Sequence, residues 1–149
     1  MKVKSIYLAG AMGCFKDTPE LMTKWRYKAT KLLNLCAKNK DIKLEIINPT
    51  EYFTFDIIRH KSEKEIMEYD LWHVTHSDLI LVNLDHIHDS PGTIIELYEA
   101  KKSKIPVVAF SDNFELHPWS ELHPWIKECI NRIENNLEDA VKYIDEFYL

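Results

Sequence analysis

The sequence predicts an α/β fold: a doubly wound, mostly parallel sheet of about five strands with helices on both faces, in one domain over residues 1–149. Three observations predict it. Short apolar runs alternate with segments of helical period, the pattern of βαβ units joined by right-handed crossovers. The runs at 78–84 and 105–110 are almost continuously apolar, as strands covered on both faces are. Gly, Pro and Asn residues separate the runs and mark turns.

The first strand is Val3–Ala9, closed by Gly10 and Gly13. Pro19 suits the first position of a helix, and Leu21, Trp25, Ala29, Leu32, Leu33 and Cys36 recur at helical spacing to about Lys38. Ile42–Ile47 is a second strand, stopped by Asn48-Pro49. Ser62 to His76 reads as a helix with Ile66, Leu71 and Val74 inward. Asp78–Asp85 is the third strand, followed by the loop His86–Gly92 and a helix over 93–103 that opens at Thr93. Ile105–Phe110 is a fourth strand whose proline lies where a missing donor is tolerated. Cys129–Ile133 is a short fifth strand, and Asn136 caps a last helix to about Phe147. Glu115–Trp119 recurs as Glu121–Trp125; the six-residue period is too short for a solenoid. It reads as a local duplication, a loop packing two indoles, or a lid.

Composition narrows the function. At 149 residues the chain is long enough for a sizeable single core, and 46% hydrophobic with 29% charged residues is ordinary for a globular protein. A net charge of −5 without a basic block disfavours nucleic-acid binding. Lys101-Lys102-Ser103-Lys104 sits at a helix end, where cations suit the dipole. No run reaches the roughly 18 apolar residues of a membrane span. Three cysteines (Cys14, Cys36, Cys129) without paired spacing fit a reducing compartment, so a cytoplasmic protein is expected. His73-x-x-His76 and His86-x-His88 lack a third ligand at a recognised spacing, so solvated or packed histidines are expected and no metal.

The chemistry-bearing candidate is Glu96, a carboxylate at the carboxyl end of a buried strand, where open α/β sheets bind ligands. A helix start would favour its ionised form. Thr93-x-x-Glu96 also has the spacing of a capping box, in which the glutamate only bonds the cap. Tyr7 is either a core aromatic with a satisfied hydroxyl or a pocket residue beside Gly10. Asp70 lies on a helix, where a solvated face competes with an acid–base role. Asp78 reads as a cap or turn residue. Asn83 and Asp85 end a strand and either contact a ligand or make a turn. Pro91-Gly92 is a turn that also gives a ligand room.

Ile6–Met12, Asn48-Pro49-Thr50, Asp70-Leu71-Trp72, Ser77–Leu84 and Gly92–Ala100, in this order and spacing, resemble the nucleoside 2-deoxyribosyltransferase family, with its deoxynucleoside 5′-monophosphate N-hydrolase branch. The resemblance implies a flavodoxin-like sheet. It further implies that Glu96 attacks C1′ of a deoxyribose to form a covalent glycosyl-enzyme, that Tyr7 holds and tunes Glu96, and that Asp70 protonates the leaving base. It makes Gly10, Asn83, Asp85, Ser90 and Gly92 substrate-contact candidates, with Ser90 at the position of a phosphate-binding serine in the hydrolases. Members form dimers or larger oligomers in which a neighbouring subunit completes the sugar site; Asn131 is the candidate for the donated residue. No cofactor is implied, and the partners are a nucleoside or nucleotide and a free nucleobase.

Where the hydrolases carry serine and arginine in the first loop, this chain has Ala11 and Gly13. Side-chain donors for a phosphate are therefore missing there, although Lys16, Arg26 or backbone amides could stand in. Trp25-Arg26 packs on its helix or walls the pocket. The expectation is base exchange on 2′-deoxyribonucleosides, with monophosphate hydrolysis or non-catalytic nucleotide sensing as alternatives.

Overall fold

Five strands rich in Ile, Leu and Val pair edge to edge in a computed structural model that describes residues 1–53, 59–113 and 118–149. They are β1 Lys2–Gly10, β2 Ile42–Ile47, β3 Leu79–Asn83, β4 Val107–Phe110 and β5 Arg132–Glu134. All neighbours run parallel, in the order β2-β1-β3-β4-β5, the flavodoxin-like arrangement expected from the sequence. The register runs from Ile6 opposite Leu79 to Gly10 opposite Asn83, so β1 and β3 end level with each other.

Six helices complete the described chain: α1 Glu20–Lys38, α2 Glu63–Thr75, α3 Pro91–Lys102, α4 Pro118–Glu121, α5 Pro124–Lys127 and α6 Leu137–Phe147. Alternation along each strand sorts the core into two layers. Ile6, Leu8, Leu81, Val108 and Phe110 pack on α1 and α6, through Ala29, Leu33, Ala140 and Ile144. Tyr7, Ala9, Ile80, Val82 and Ala109 face the opposite way, onto Val74 of α2 and Leu97 and Ala100 of α3. The parity of β1 thus aims Tyr7 at the layer that carries Asp70 and Glu96.

Caps fix the helix starts. Ser62 accepts the Glu65 N–H at 3.2 Å and Asn136 accepts the Asp139 N–H at 2.8 Å. Helix α3 starts at Pro91, two residues before the predicted Thr93, because proline fits the first helical position. Leu21 is exposed, and the buried stripe of α1 runs instead through Met22, Arg26, Ala29, Leu33 and Ala37.

The fifth strand begins three residues later than predicted. Cys129 and Ile130 close a turn onto Ile126 and Lys127, and Asn131 brackets the amino end of β4. Its N–H donates to the Val107 carbonyl at 2.9 Å, and its side-chain oxygen accepts the Val107 N–H at 2.9 Å. Asn131→Ala leaves that N–H without its partner. It is expected to cost about 1 kcal/mol, read as a lower urea midpoint with an unchanged slope.

Candidate active site

In this strand order the crossovers change direction between β1 and β3, and a crevice opens outside the strand ends there. A cavity of about 590 Å³ occupies it, walled by Gly10 at the end of β1 and Met12 after it, by Ile66, Met67, Asp70 and Leu71 of α2, and by Ser90, Gly92, Thr93 and Glu96 of α3 and its start. The lining positions of α2 recur one helical turn apart, so one stripe of that helix forms a wall. Phe53 closes another side.

Glu96 and Asp70 face this space, and each is held by a tyrosine. The Tyr7 hydroxyl donates to Glu96 Oε2, tying β1 to α3. The Tyr52 hydroxyl donates to Asp70 Oδ1 at 2.8 Å. Tyr52 reaches it from a short 3₁₀ turn, Pro49–Glu51, whose cap Asn48 accepts the Thr50 N–H at 3.0 Å. Stacking on His73, with ring centroids 5.8 Å apart, and an edge contact to Tyr69 at 5.0 Å fix the ring of Tyr52. The Asn48-Pro49-Thr50 motif therefore acts by placing Tyr52, a residue that the sequence reading did not single out.

The expectation that a helix terminus keeps Glu96 ionised is overturned. Because α3 begins at Pro91, Glu96 lies in the second turn, beyond the reach of the terminal N–H groups. Burial pushes its carboxyl up from 4.5 to about 8, with the Asp70 charge adding to the rise; the Tyr7 hydrogen bond and the Arg26 charge pull the other way. Burial also raises Asp70, against the lowering effect of the Tyr52 hydroxyl. Burial and the neighbouring Glu96 push Tyr7 well above the usual phenol range, so it remains a donor. The capping-box alternative for Glu96 falls as well: Ser90 is the cap, and its hydroxyl meets Thr93 Oγ1 at 2.7 Å.

The other sequence candidates divide. Gly10, Ser90 and Gly92 line the cavity with Glu96 and Asp70. Asn83 and Asp85 do not; they line a separate recess of about 160 Å³ with Ala11, Trp25 and His86. There the Asn83 side chain accepts the Asp85 N–H at 2.9 Å. The Asp85 carboxylate in turn takes Ser111 Oγ at 2.5 Å and Asn113 Nδ2 at 2.7 Å, a turn locked to the end of β4. Asn131 sits at the amino end of β4, opposite the strand ends that carry the cavity of its own chain.

Trp25 packs edge-on against Phe110 in the α1 layer. Arg26 is buried with its guanidinium committed to main-chain carbonyls, which removes it as a phosphate donor. His76 stacks on Trp72 and His73 packs against Tyr69. His88 Nε2 accepts the His123 N–H at 3.2 Å. Among the described residues no three His, Cys, Asp or Glu side chains converge, and no helix is long and apolar enough to cross a membrane. The first copy of the doubled motif, up to residue 117, lies outside the described residues; in the second, Trp125 is 81% exposed and packs no core.

A flavodoxin-like sheet with a carboxylate pair in its switch-point cavity defines the class: an α/β protein with two acids facing one crevice at its strand ends. The profile of the family described as "Nucleoside 2-deoxyribosyltransferase like" matches residues 3–114, and the chain belongs to that family. Solved structures share the fold at low identity. A conserved protein from Enterococcus faecalis V583 is 21% identical with a TM-score of 0.75, over 97% of this chain and 98% of that one. A 2-deoxyribosyltransferase from Bacillus psychrosaccharolyticus is 22% identical, TM-score 0.66, over 93% and 91%. A CMP N-glycosidase from Clostridium botulinum is 17% identical, TM-score 0.55, over 97% and 99%. The sequence has no match among curated proteins.

The raised carboxyl of Glu96 carries a signature in stability. The folded chain holds this proton more tightly than the unfolded one. The stability gained is full below about pH 4.5 and is lost as pH rises through about 8. Glu96→Gln keeps the neutral shape at every pH. It is expected to melt with the wild type at pH 5 and at least about 3 °C above it at pH 9, by calorimetry.

Proposed function

We propose that the protein is a nucleoside 2-deoxyribosyltransferase that exchanges bases on 2′-deoxyribonucleosides through a covalent Glu96 intermediate. The observation that carries this reading is the half-buried Glu96, gripped by Tyr7 and opening with Asp70 onto one cavity. Breaking an N-glycosidic bond builds positive charge on the sugar and negative charge on the base. A carboxylate beneath C1′ answers the first and an acid beside the base answers the second.

Glu96, as carboxylate, attacks C1′; the C1′–N bond breaks and its electron pair leaves with the base. Asp70 in its acid form gives its proton to that base. A second base then attacks C1′, the ester to Glu96 breaks, and the proton of the incoming base returns to Asp70. Tyr7 donates to the Glu96 carboxylate throughout, and Tyr52 orients Asp70. Water in place of the second base gives hydrolysis.

The lining supports an uncharged nucleoside over a 5′-monophosphate. Its described charged residues are Glu63, Lys64, Asp70, Asp89 and Glu96; the cation, Lys64, lies 3.9 Å from Glu68. An anionic, chiefly apolar wall with no arginine is a poor phosphate cradle, and the Ser90 hydroxyl is engaged by Thr93. We further propose a homodimer or larger homo-oligomer in which a neighbouring subunit closes the site. Met67 and Ile95 support this, since both line the cavity while remaining exposed apolar residues.

Thymidine or deoxyuridine incubated with free adenine is expected to yield deoxyadenosine by chromatography, and Glu96→Ala to abolish the exchange in a folded chain. Deoxyribose phosphate released from a monophosphate without exchange would establish the hydrolase instead. Silence in both assays, with nucleoside-induced stabilisation, would establish a sensor.

The reaction needs one proton on the carboxyl pair, so kcat/KM is expected to be bell-shaped, falling near pH 8 as the pair loses its last proton. Asp70→Asn removes the acid and the charge that raises Glu96. It is expected to lower the rate by about 10²–10⁴-fold. A single ascending limb centred below about pH 8 replaces the bell.

A further inference from the structure

Arg26 is the one cation fully buried among the described residues, and the proposed chemistry does not use it. It stands on α1, in the layer opposite Asp70 and Glu96, yet its side chain bends over the carboxyl end of β1. Nε donates to the Leu8 carbonyl at 3.3 Å, one terminal nitrogen to the Gly10 carbonyl at 3.1 Å and the other to the Met22 carbonyl at 2.6 Å. The guanidinium also lies 4.6 Å from the centre of the Trp25 ring. The space around it is filled: a Cβ on Gly10 would come within 3.0 Å of the Trp25 ring and 3.4 Å of the guanidinium.

Each of its three nitrogens donates to one main-chain carbonyl, and a carbonyl does not need a full charge to accept a hydrogen bond. Burying the ion costs several kcal/mol of desolvation. Among the described residues no carboxylate forms an ion pair with Arg26. Gly10, whose carbonyl it holds at 3.1 Å, lines the cavity with Glu96 and Asp70, and among the described residues the titratable groups that act on it are Tyr7 on β1, Glu96 on α3, Tyr52 ahead of α2 and Asp70 on α2. A buried cation with no bonded anion among the described residues, set behind a half-buried acid that must ionise to react, is a fixed counter-charge.

We propose that Arg26 is a positioning residue that supplies the counter-charge for the Glu96 carboxylate from behind β1 while pinning the Gly10 carbonyl at the cavity floor. It touches neither substrate nor reacting atoms. Its charge makes the ionised form of Glu96 accessible near neutral pH, although burial opposes it. Burial lowers Arg26 to about 10, still above neutral pH, and the charges of Glu96 and Asp70 oppose that lowering.

This inference rests on the glycosyl-enzyme reading for its purpose, but its test does not require turnover. The Glu96 side chain is titrated by ¹³C NMR in the ligand-free protein, in the wild type, Arg26→Gln, Arg26→Met and Arg26→Lys. Either neutral variant that keeps a native near-UV spectrum is expected to bind the Glu96 proton about tenfold more tightly, and the lysine variant to stay within about threefold of the wild type. An unmoved Glu96 in a folded neutral variant would overturn the proposal. So would a lysine variant displaced as far as the neutral ones. If both neutral chains fail to fold, Arg26→Lys decides: Glu96 holding near 8 supports the counter-charge, and a tenfold tighter proton with a cation still present contradicts it. Absence of base exchange in the wild type would remove the enzymatic reading and leave this titration untouched.

Discussion

The hydrogen bond from the Tyr7 hydroxyl to Glu96 joins β1 to the helix that follows β3, and the site depends on it. Tyr7 can reach Glu96 only because β1 and β3 are adjacent and level, and because strand alternation turns Tyr7 toward α3 rather than α1. The bond satisfies a phenol that is fully buried in the core. It also lowers a carboxyl that burial drives upward. Core packing and the tuning of a cavity-facing acid are here one contact.

Around that contact the fold balances opposing electrostatic demands. A carboxylate in a chiefly apolar crevice is easily neutralised, and Asp70 across the cavity makes neutralisation easier still. Tyr7 in front and Arg26 behind β1 oppose it, one by a hydrogen bond and the other by charge. The result is a pair of acids that share one cavity, both raised by burial and each held by its own tyrosine. Tyr52 supplies the second half of the arrangement, since its hydroxyl orients Asp70 and its ring is wedged against His73 and Tyr69.

Most of the scaffold was legible in the chain because apolar period and turn residues act locally. Ile42–Ile47 reads with its observed ends, and Ser62 and Asn136 mark starts that the structure keeps. What escaped depends on contacts between distant segments. Tyr52 follows a turn whose purpose appears only when α2 packs against it. Arg26 looks like an ordinary helix cation until its side chain is seen folded over the end of β1. Asn83 and Asp85 carried the residue types of a ligand site, yet their side chains close a turn with Ser111 and Asn113. The ionisation of Glu96 was misjudged for a related reason: the helix start suggested a positive end, whereas burial by the surrounding core sets the balance.

The most direct measurement of the central claim is a chemical one. A 2′-deoxyribonucleoside is mixed with the protein, the reaction is stopped by rapid acid quench, and the digest is mapped by mass spectrometry. The account predicts a deoxyribosyl ester on the peptide that contains Glu96, formed on the time scale of turnover and discharged by added base. A label on another residue would contradict it, as would turnover with inversion at C1′ and no adduct at all.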